Sequence, residues 1–154
     1  IECLMQRNAL VDRFQLVSSA VGPKEQETIA FHSRPFMASS TFDGKEDEDL
    51  PTRKRILRED EILERCSPPF DLVKVDIEGS EWSLLRDYGH IFRNTRRLLL
   101  EWHSWHEGGG GLPQIKGRLS ELGFRIEKES TPQPATGREG EVGLLAAVIG
   151  NEAT

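Results

Sequence analysis

Cysteine is almost missing from this sequence: Cys3 and Cys66 are its two copies. A pair so far apart gives neither a disulfide framework nor a zinc site. Free thiols in a reducing, cytoplasmic setting are expected. Long apolar runs are missing too. Nothing approaches the roughly 20 residues that a membrane-spanning helix requires, so no membrane association is expected. Nor is there a basic excess. The net charge is −6, whereas binding nucleic acid needs a face that neutralises phosphates. The basic residues Arg53, Lys54, Arg55 and Arg58 read as a solvated charged segment, and no nucleic-acid partner is expected. The chain starts at Ile1 rather than Met, inside a helical pattern, and shows no signal peptide within it, so a piece of a longer open reading frame is expected. The glycine run from Glu107 to Gly111 lacks the strand context of a phosphate-binding fingerprint.

What is present suffices for one domain. The 154 residues are 36% hydrophobic and 30% charged, which supports a core with polar loops around it. Ile1, Leu4, Met5 and Asn8 sit at helical spacing. Residues 11–21 read as a connector and then a strand, closed by Gly22 and Pro23. Residues 27–32 alternate as a half-exposed strand paired with the one before. Residues 33–55 have no usable period and read as a mobile loop or insertion, a candidate lid. Ile56 and Leu57 suggest a short strand, with a helical turn around Ile62 and Leu63.

The chemistry concentrates between Asp71 and Trp82, D-L-V-K-V-D-I-E-G-S-E-W. The apolar run Leu72, Val73, Val75, interrupted only by Lys74, predicts a strand buried on both faces. Gly79 suits a tight strand-to-helix turn, and Ser80 an N-cap for a helix starting at Glu81. Asp76, Glu78 and Glu81 thus gather at the carboxyl end of a strand, where open α/β sheets bind ligands. Trp82 to Phe92 gives a helix bent near Gly89. Leu98–Leu100 gives a second buried strand ending at Glu101, Trp102 and His103. Residues 112–122 make a helix stopped by Gly123, and strands follow at 124–129 and 143–149. The alternation predicts an α/β fold whose parallel sheet is covered by helices, with the last two strands an antiparallel hairpin at its edge.

Lys74, Val75, Asp76, Ile77, Glu78, Gly79 and Glu81, followed by L-L-L-E-W-H at 98–103, resemble the FkbM-type methyltransferases. Residues 16–22 (L-V-S-S-A-V-G) resemble the family's strand before its hairpin, and Leu122-Gly123-Phe124 its helix end. The resemblance covers nearly the whole chain. It implies a single methyltransferase-like domain over residues 1–154 with the class I Rossmann-like fold, a three-layer α/β/α sandwich on a mostly parallel sheet. It also implies S-adenosylmethionine as cofactor and a small-molecule acceptor, hydroxylated or sugar-like, methylated on oxygen. Asp76 is implied beside the methyl group, and Ser18, Ser19 and Ala20 beside the adenine. The family's glycine-rich loop after its first strand, and the acidic residue after its second, cannot be placed. Glu2 reads as a helix residue, so the fold is expected to be N-terminally incomplete.

The roles follow from the chemistry of methylating a hydroxyl, which needs an in-line approach, loss of a proton and exclusion of water. Glu78 and Glu81 can hold acceptor hydroxyls or take a proton, and His103, whose ordinary pKa is near neutral, can act as general base. Glu81 in a first helical turn can instead complement the helix dipole. Lys74 reads as a structural partner of a carboxylate. Trp82, Trp102 and Trp105 read as core and rim aromatics. His103 and His106 with Glu101 and Glu107 raise a metal-dependent hydrolase using Asp76, Glu78, Glu101 and His103 as the alternative. Their spacing is weak for ligands, and the expected site contains no metal. A non-catalytic remnant of a methyltransferase domain is the third reading.

Overall fold

One strand separates the inside of the molecule from its outside. Along Arg97–His103, Leu98, Leu100 and Trp102 are buried, while Leu99 and Glu101 between them are half-buried, as the period-2 geometry of a strand requires. The computed structural model describes residues 11–31, 52–105, 111–135 and 139–150, together with Met5, Arg7 and Asn8. Within them the strands are β1 (Thr28–Phe31), β2 (Thr52–Arg55), β3 (Val73–Val75), β4 (Arg97–His103), β5 (Phe124–Glu129), β6 (Gln133–Pro134) and β7 (Glu141–Ile149). The α-helices are α1 (Glu59–Arg65), α2 (Glu81–Asp87), α3 (Gly89–Arg93) and α4 (Leu112–Glu121). Met5 and Arg7 are helical, in keeping with the spacing there.

The main sheet has the order β3-β4-β7-β5, with β6 also on β7. β3 and β4 run parallel, with Val73, Lys74 and Val75 opposite Leu98, Leu99 and Leu100. Phe70 and Thr95 extend that pairing through a parallel bridge. The β4–β7, β5–β7 and β6–β7 pairs are antiparallel. The expected mostly parallel sheet is therefore corrected: among the described residues β3–β4 is the single parallel pair of this sheet. The reason is topological. β5 and β7 do form the expected antiparallel hairpin, but β7 enters between β4 and β5 instead of adding at the edge. It is the most apolar strand of the chain's end, and that slot lets Leu145 and Ala147 face the core beside Leu100 and Leu98 of β4.

The core lies on the face of Val75, Leu98, Leu100, Leu145 and Ala147, packed against Leu84, Leu85, Phe92, Ile115 and Leu119 of α2, α3 and α4. The helix α4 shows why its sequence is helical. Ile115, Leu119 and Leu122 recur at i, i+4 and i+7 and are all buried. Gly123, at φ 90°, ends the helix in the left-handed region. The opposite sheet face carries Lys74, Leu99, Glu101 and Leu144, all exposed or half-buried. The three-layer sandwich is thus not complete among the described residues.

Five further expectations change. Residues 14–21 form no strand; Ala20 makes one parallel bridge to Ile56. β1 accordingly pairs with β2, antiparallel, and not with the segment before it. The loop expected over 33–55 thus ends in a strand, and its residues 33–51 lie outside the described ones. β3 is not buried on both faces, because Lys74 points outward and is exposed while Val75 is buried. Ser80 takes the N-cap position of α2, but its side chain makes no capping hydrogen bond. The bend near Gly89 is present as a break at Tyr88, which ends α2 and precedes α3. The Tyr88 hydroxyl donates to the Leu57 carbonyl at 2.8 Å and ties this break to the segment before α1.

Candidate active site

Between β3 and α2 the chain reverses in five residues, Asp76 to Ser80. Glu78 takes φ 55° and Gly79 φ 107°. Glycine adopts such angles without cost, whereas a glutamate there costs on the order of 1–2 kcal/mol. Non-glycine residues held in this region cluster at functional sites. The turn brings Glu81, the first residue of α2, beneath the end of β4. Glu81 is fully buried, and its Oε1 accepts the Gly79 N–H at 2.9 Å and faces His103 Nδ1 at 2.9 Å. His103 is 2% exposed. With a carboxylate on Nδ1, the ring carries its proton there and turns Nε2 toward the strand ends.

Two carboxylates meet that nitrogen. Glu78 Oε2 lies at 3.9 Å and Glu101 Oε1 at 4.0 Å from His103 Nε2. Asp76, exposed at the end of β3, bonds the Lys74 ammonium at 2.9 Å, so Lys74 does partner a carboxylate, though at the surface. Atoms of Asp76, Glu78 and His103 all lie within 4.8 Å of one another. Trp105 closes one side: its ring centroid is 4.5 Å from that of His103, tilted by 51°, and its Nε1 donates to the Glu78 carbonyl at 3.4 Å.

The charges act on the imidazole in opposite directions. Burial by itself lowers the His103 pKa. The Glu81 hydrogen bond and the charges of Glu81, Glu78 and Glu101 raise it and win, so the ring is more basic than an ordinary histidine. The Asp76 hydrogen bond likewise holds the Lys74 ammonium above its usual value.

The structure thus gathers Asp76, Glu78, Glu81 and His103, with Glu81 behind His103 and shut off from solvent. It does not gather Ser18, Ser19 and Ala20 with them. Ser18 and Ser19 are exposed in an extended segment, and Ala20 is held by backbone bonds to Arg55 and Leu57. Among the described residues no hydrogen bond or ion pair links these three to the four. The Glu81–His103 pair had no local signal in the sequence. Its members are 22 residues apart and meet only because β3 and β4 are parallel neighbours ending at the same level. Trp105, read from the sequence as a core or rim aromatic, stands at the rim of this site, though its contact with the His103 ring was not legible there. His106 and Glu107 lie outside the described residues.

A family model described as "Methyltransferase FkbM domain" matches residues 3–126. No curated protein and no solved structure matches the chain significantly.

Proposed function

The chain belongs to the FkbM methyltransferase domain family, and on that premise we propose that it is an S-adenosylmethionine-dependent enzyme methylating a hydroxyl of a small, polyhydroxylated acceptor. The observation that carries this reading is the buried Glu81–His103 pair. It turns a basic ring nitrogen toward the carboxylates of Glu78 and Glu101 at the ends of adjacent parallel strands. The cofactor, when bound, supplies a methyl group on a positively charged sulfonium. The donor set fits such a group, since three carboxylates with a single lysine among them make an anionic strand end. Asp76 would stand beside it, and Ser18, Ser19 and Ala20 would border the adenine.

Toward the acceptor, the residues divide the work. Glu78 and Glu101 offer only hydrogen-bond acceptors, which suits a molecule rich in hydroxyls. His103 Nε2 is the strongest base of the cluster and takes up the hydroxyl proton, and Glu81 stabilises the imidazolium that results. Trp105 covers one flank and keeps water off the ring. A cytoplasmic location belongs to the same reading, supported by the free, exposed Cys66. No helix of the described residues is long and apolar enough to cross a membrane.

Calorimetric titration of the full-length protein with S-adenosylmethionine tests the reading, followed by transfer of a labelled methyl group to a panel of sugars and polyols. Saturable one-to-one binding is expected, with transfer lost in His103→Gln. A folded protein that takes up no cofactor would overturn it.

A further inference from the structure

One peptide unit, Glu78–Gly79, is held at both of its ends by side chains that also touch His103. Its N–H donates to Glu81 Oε1 at 2.9 Å, and the same oxygen faces His103 Nδ1 at 2.9 Å. Its carbonyl accepts from Trp105 Nε1 at 3.4 Å, and the Trp105 ring centroid lies 4.5 Å from that of His103. The unit joins two left-handed residues, Glu78 at φ 55° and Gly79 at φ 107°. A glutamate stays in that region only where its surroundings over-determine it. Gly79 and Glu81 belong to the turn itself, whereas Trp105 comes from 27 residues further on.

Trp105 is itself held from behind. The Ser104 N–H donates to the Glu141 carbonyl at 2.9 Å, and the Glu141 N–H donates to Ser104 Oγ at 2.7 Å. Gly140, at φ 124°, lies against the indole: a Cβ there would stand 2.7 Å from Ser104 Oγ and 3.1 Å from Trp105 Cε3. Both the angle and the close approach call for glycine. Gly140 and Glu141 lie beyond the residues 3–126 that the family model matches. The support behind Trp105 thus comes from a part of the chain outside that match.

We propose that Trp105 is a positioning residue: its indole N–H fixes the Glu78–Gly79 peptide so that the Glu78 carboxylate faces His103 Nε2, and its ring sets the plane of that imidazole. A peptide unit held at one end can still turn about its flanking bonds, and the Glu78 side chain turns with it. Held from α2 at its N–H and from the end of β4 at its carbonyl, the unit has one orientation. Glu78 Oε2 then stays 3.9 Å from Nε2. An acceptor hydroxyl at that nitrogen meets a carboxylate already in place, which is the advantage of fixed proximity. That use rests on the methyl-transfer reading; the hold of Trp105 on the turn does not.

The test is nuclear magnetic resonance of the full-length protein without cofactor, wild type against Trp105→Phe. It reads the Glu78 Cα and Cβ shifts, which mark left-handed backbone, and the His103 ring nitrogens through a pH titration. A phenyl ring keeps the cover over the imidazole and loses the N–H. The Glu78 shifts should leave their left-handed values. His103 should titrate at lower pH than in the wild type, because the Glu78 charge that helps to raise its pKa moves off while the ring stays buried beside Glu81 and Glu101. Ser104→Ala, which unties the Glu141 N–H and leaves the indole whole, should move both readouts the same way by less. Trp105→Phe should also lower kcat for methyl transfer by up to about 100-fold, with the affinity for S-adenosylmethionine as in the wild type. Unchanged Glu78 shifts and His103 titration in the folded variants would overturn the positioning role, as would lost cofactor affinity with kcat intact. Moved shifts in a protein that transfers no methyl group would overturn the methyltransferase reading and leave the hold of Trp105 on the turn standing.

Discussion

Glu81 satisfies two buried donors, the Gly79 N–H and His103 Nδ1–H, with one oxygen. Glu81→Ala strands both of them out of water and should cost about 3–5 kcal/mol of unfolding free energy in urea, since removing one partner of a buried polar pair leaves the other uncompensated. Glu81→Gln keeps an acceptor and should cost less than half of that. The same pair makes stability depend on pH. His103 has a raised pKa in the folded protein, so its contribution is fully present below the ordinary histidine value near 6.5 and is lost as pH rises through the folded value. Urea midpoints measured from pH 6 to pH 9 should fall across that window in the wild type and fall less in Glu81→Gln. Glu78 tells the opposite story at the same turn. Held at φ 55° among like charges, it is a residue whose replacement by Asn, which tolerates the left-handed region, should raise stability by up to about 1 kcal/mol. The same replacement should abolish methyl transfer, a stability–activity opposition typical of sites.

The strands β4 and β7 depend on one glycine for their contact. Gly143 lies opposite Trp102 in the antiparallel register, and a Cβ there would stand 2.7 Å from Trp102 Nε1 and 2.9 Å from Cε2. The indole is 2% exposed and cannot move aside cheaply. Gly143→Ala should therefore cost about 1–3 kcal/mol, the range for overpacking a filled core, and a shift in tryptophan fluorescence should report the displaced ring. A β-bulge elsewhere on β7's partners does related work. The register with β5 slips between Ile126 and Lys128, so Ile126 still meets Ala147 while the polar end of β5 turns outward. The first of these lies one residue before His103, at the end of β4. Alternation alone predicts which residues of β4 face the core. It does not predict that a glycine on the neighbouring strand β7 leaves room for the Trp102 indole.

At the scale of the whole chain, pairing decides rigidity. β4 is flanked by β7 over its full length and by β3 along Leu98–Leu100, whereas β1 and β2 form a separate two-stranded sheet joined to the rest by the Tyr88 hydroxyl on Leu57 and by Lys24 and Glu25 on Asp87 and Arg86. Native-state hydrogen exchange should thus be slowest for β4 and β7 amides and faster for β1 and β2 by about a hundredfold or more, because local openings cost least where few contacts hold a unit. Faster exchange in β4 than in β1 would contradict this topology. The sequence by itself determined the strand-end motif from Lys74 to Glu81, the helix stopped at Gly123, the break near Gly89, and the family, since each rests on local periodicity, on turn residues or on a contiguous motif. Only the tertiary structure decided three things. It placed β7 between β4 and β5, so that antiparallel pairs dominate the described sheet, and it left Lys74 outside. It also brought Glu81 and His103 together behind a strand end. The physical reason is the same for all three. A period of two tells which side of a strand is apolar, but not its neighbour or direction. Those are fixed by long-range hydrogen bonding and by which arrangement of the strands buries the most apolar surface.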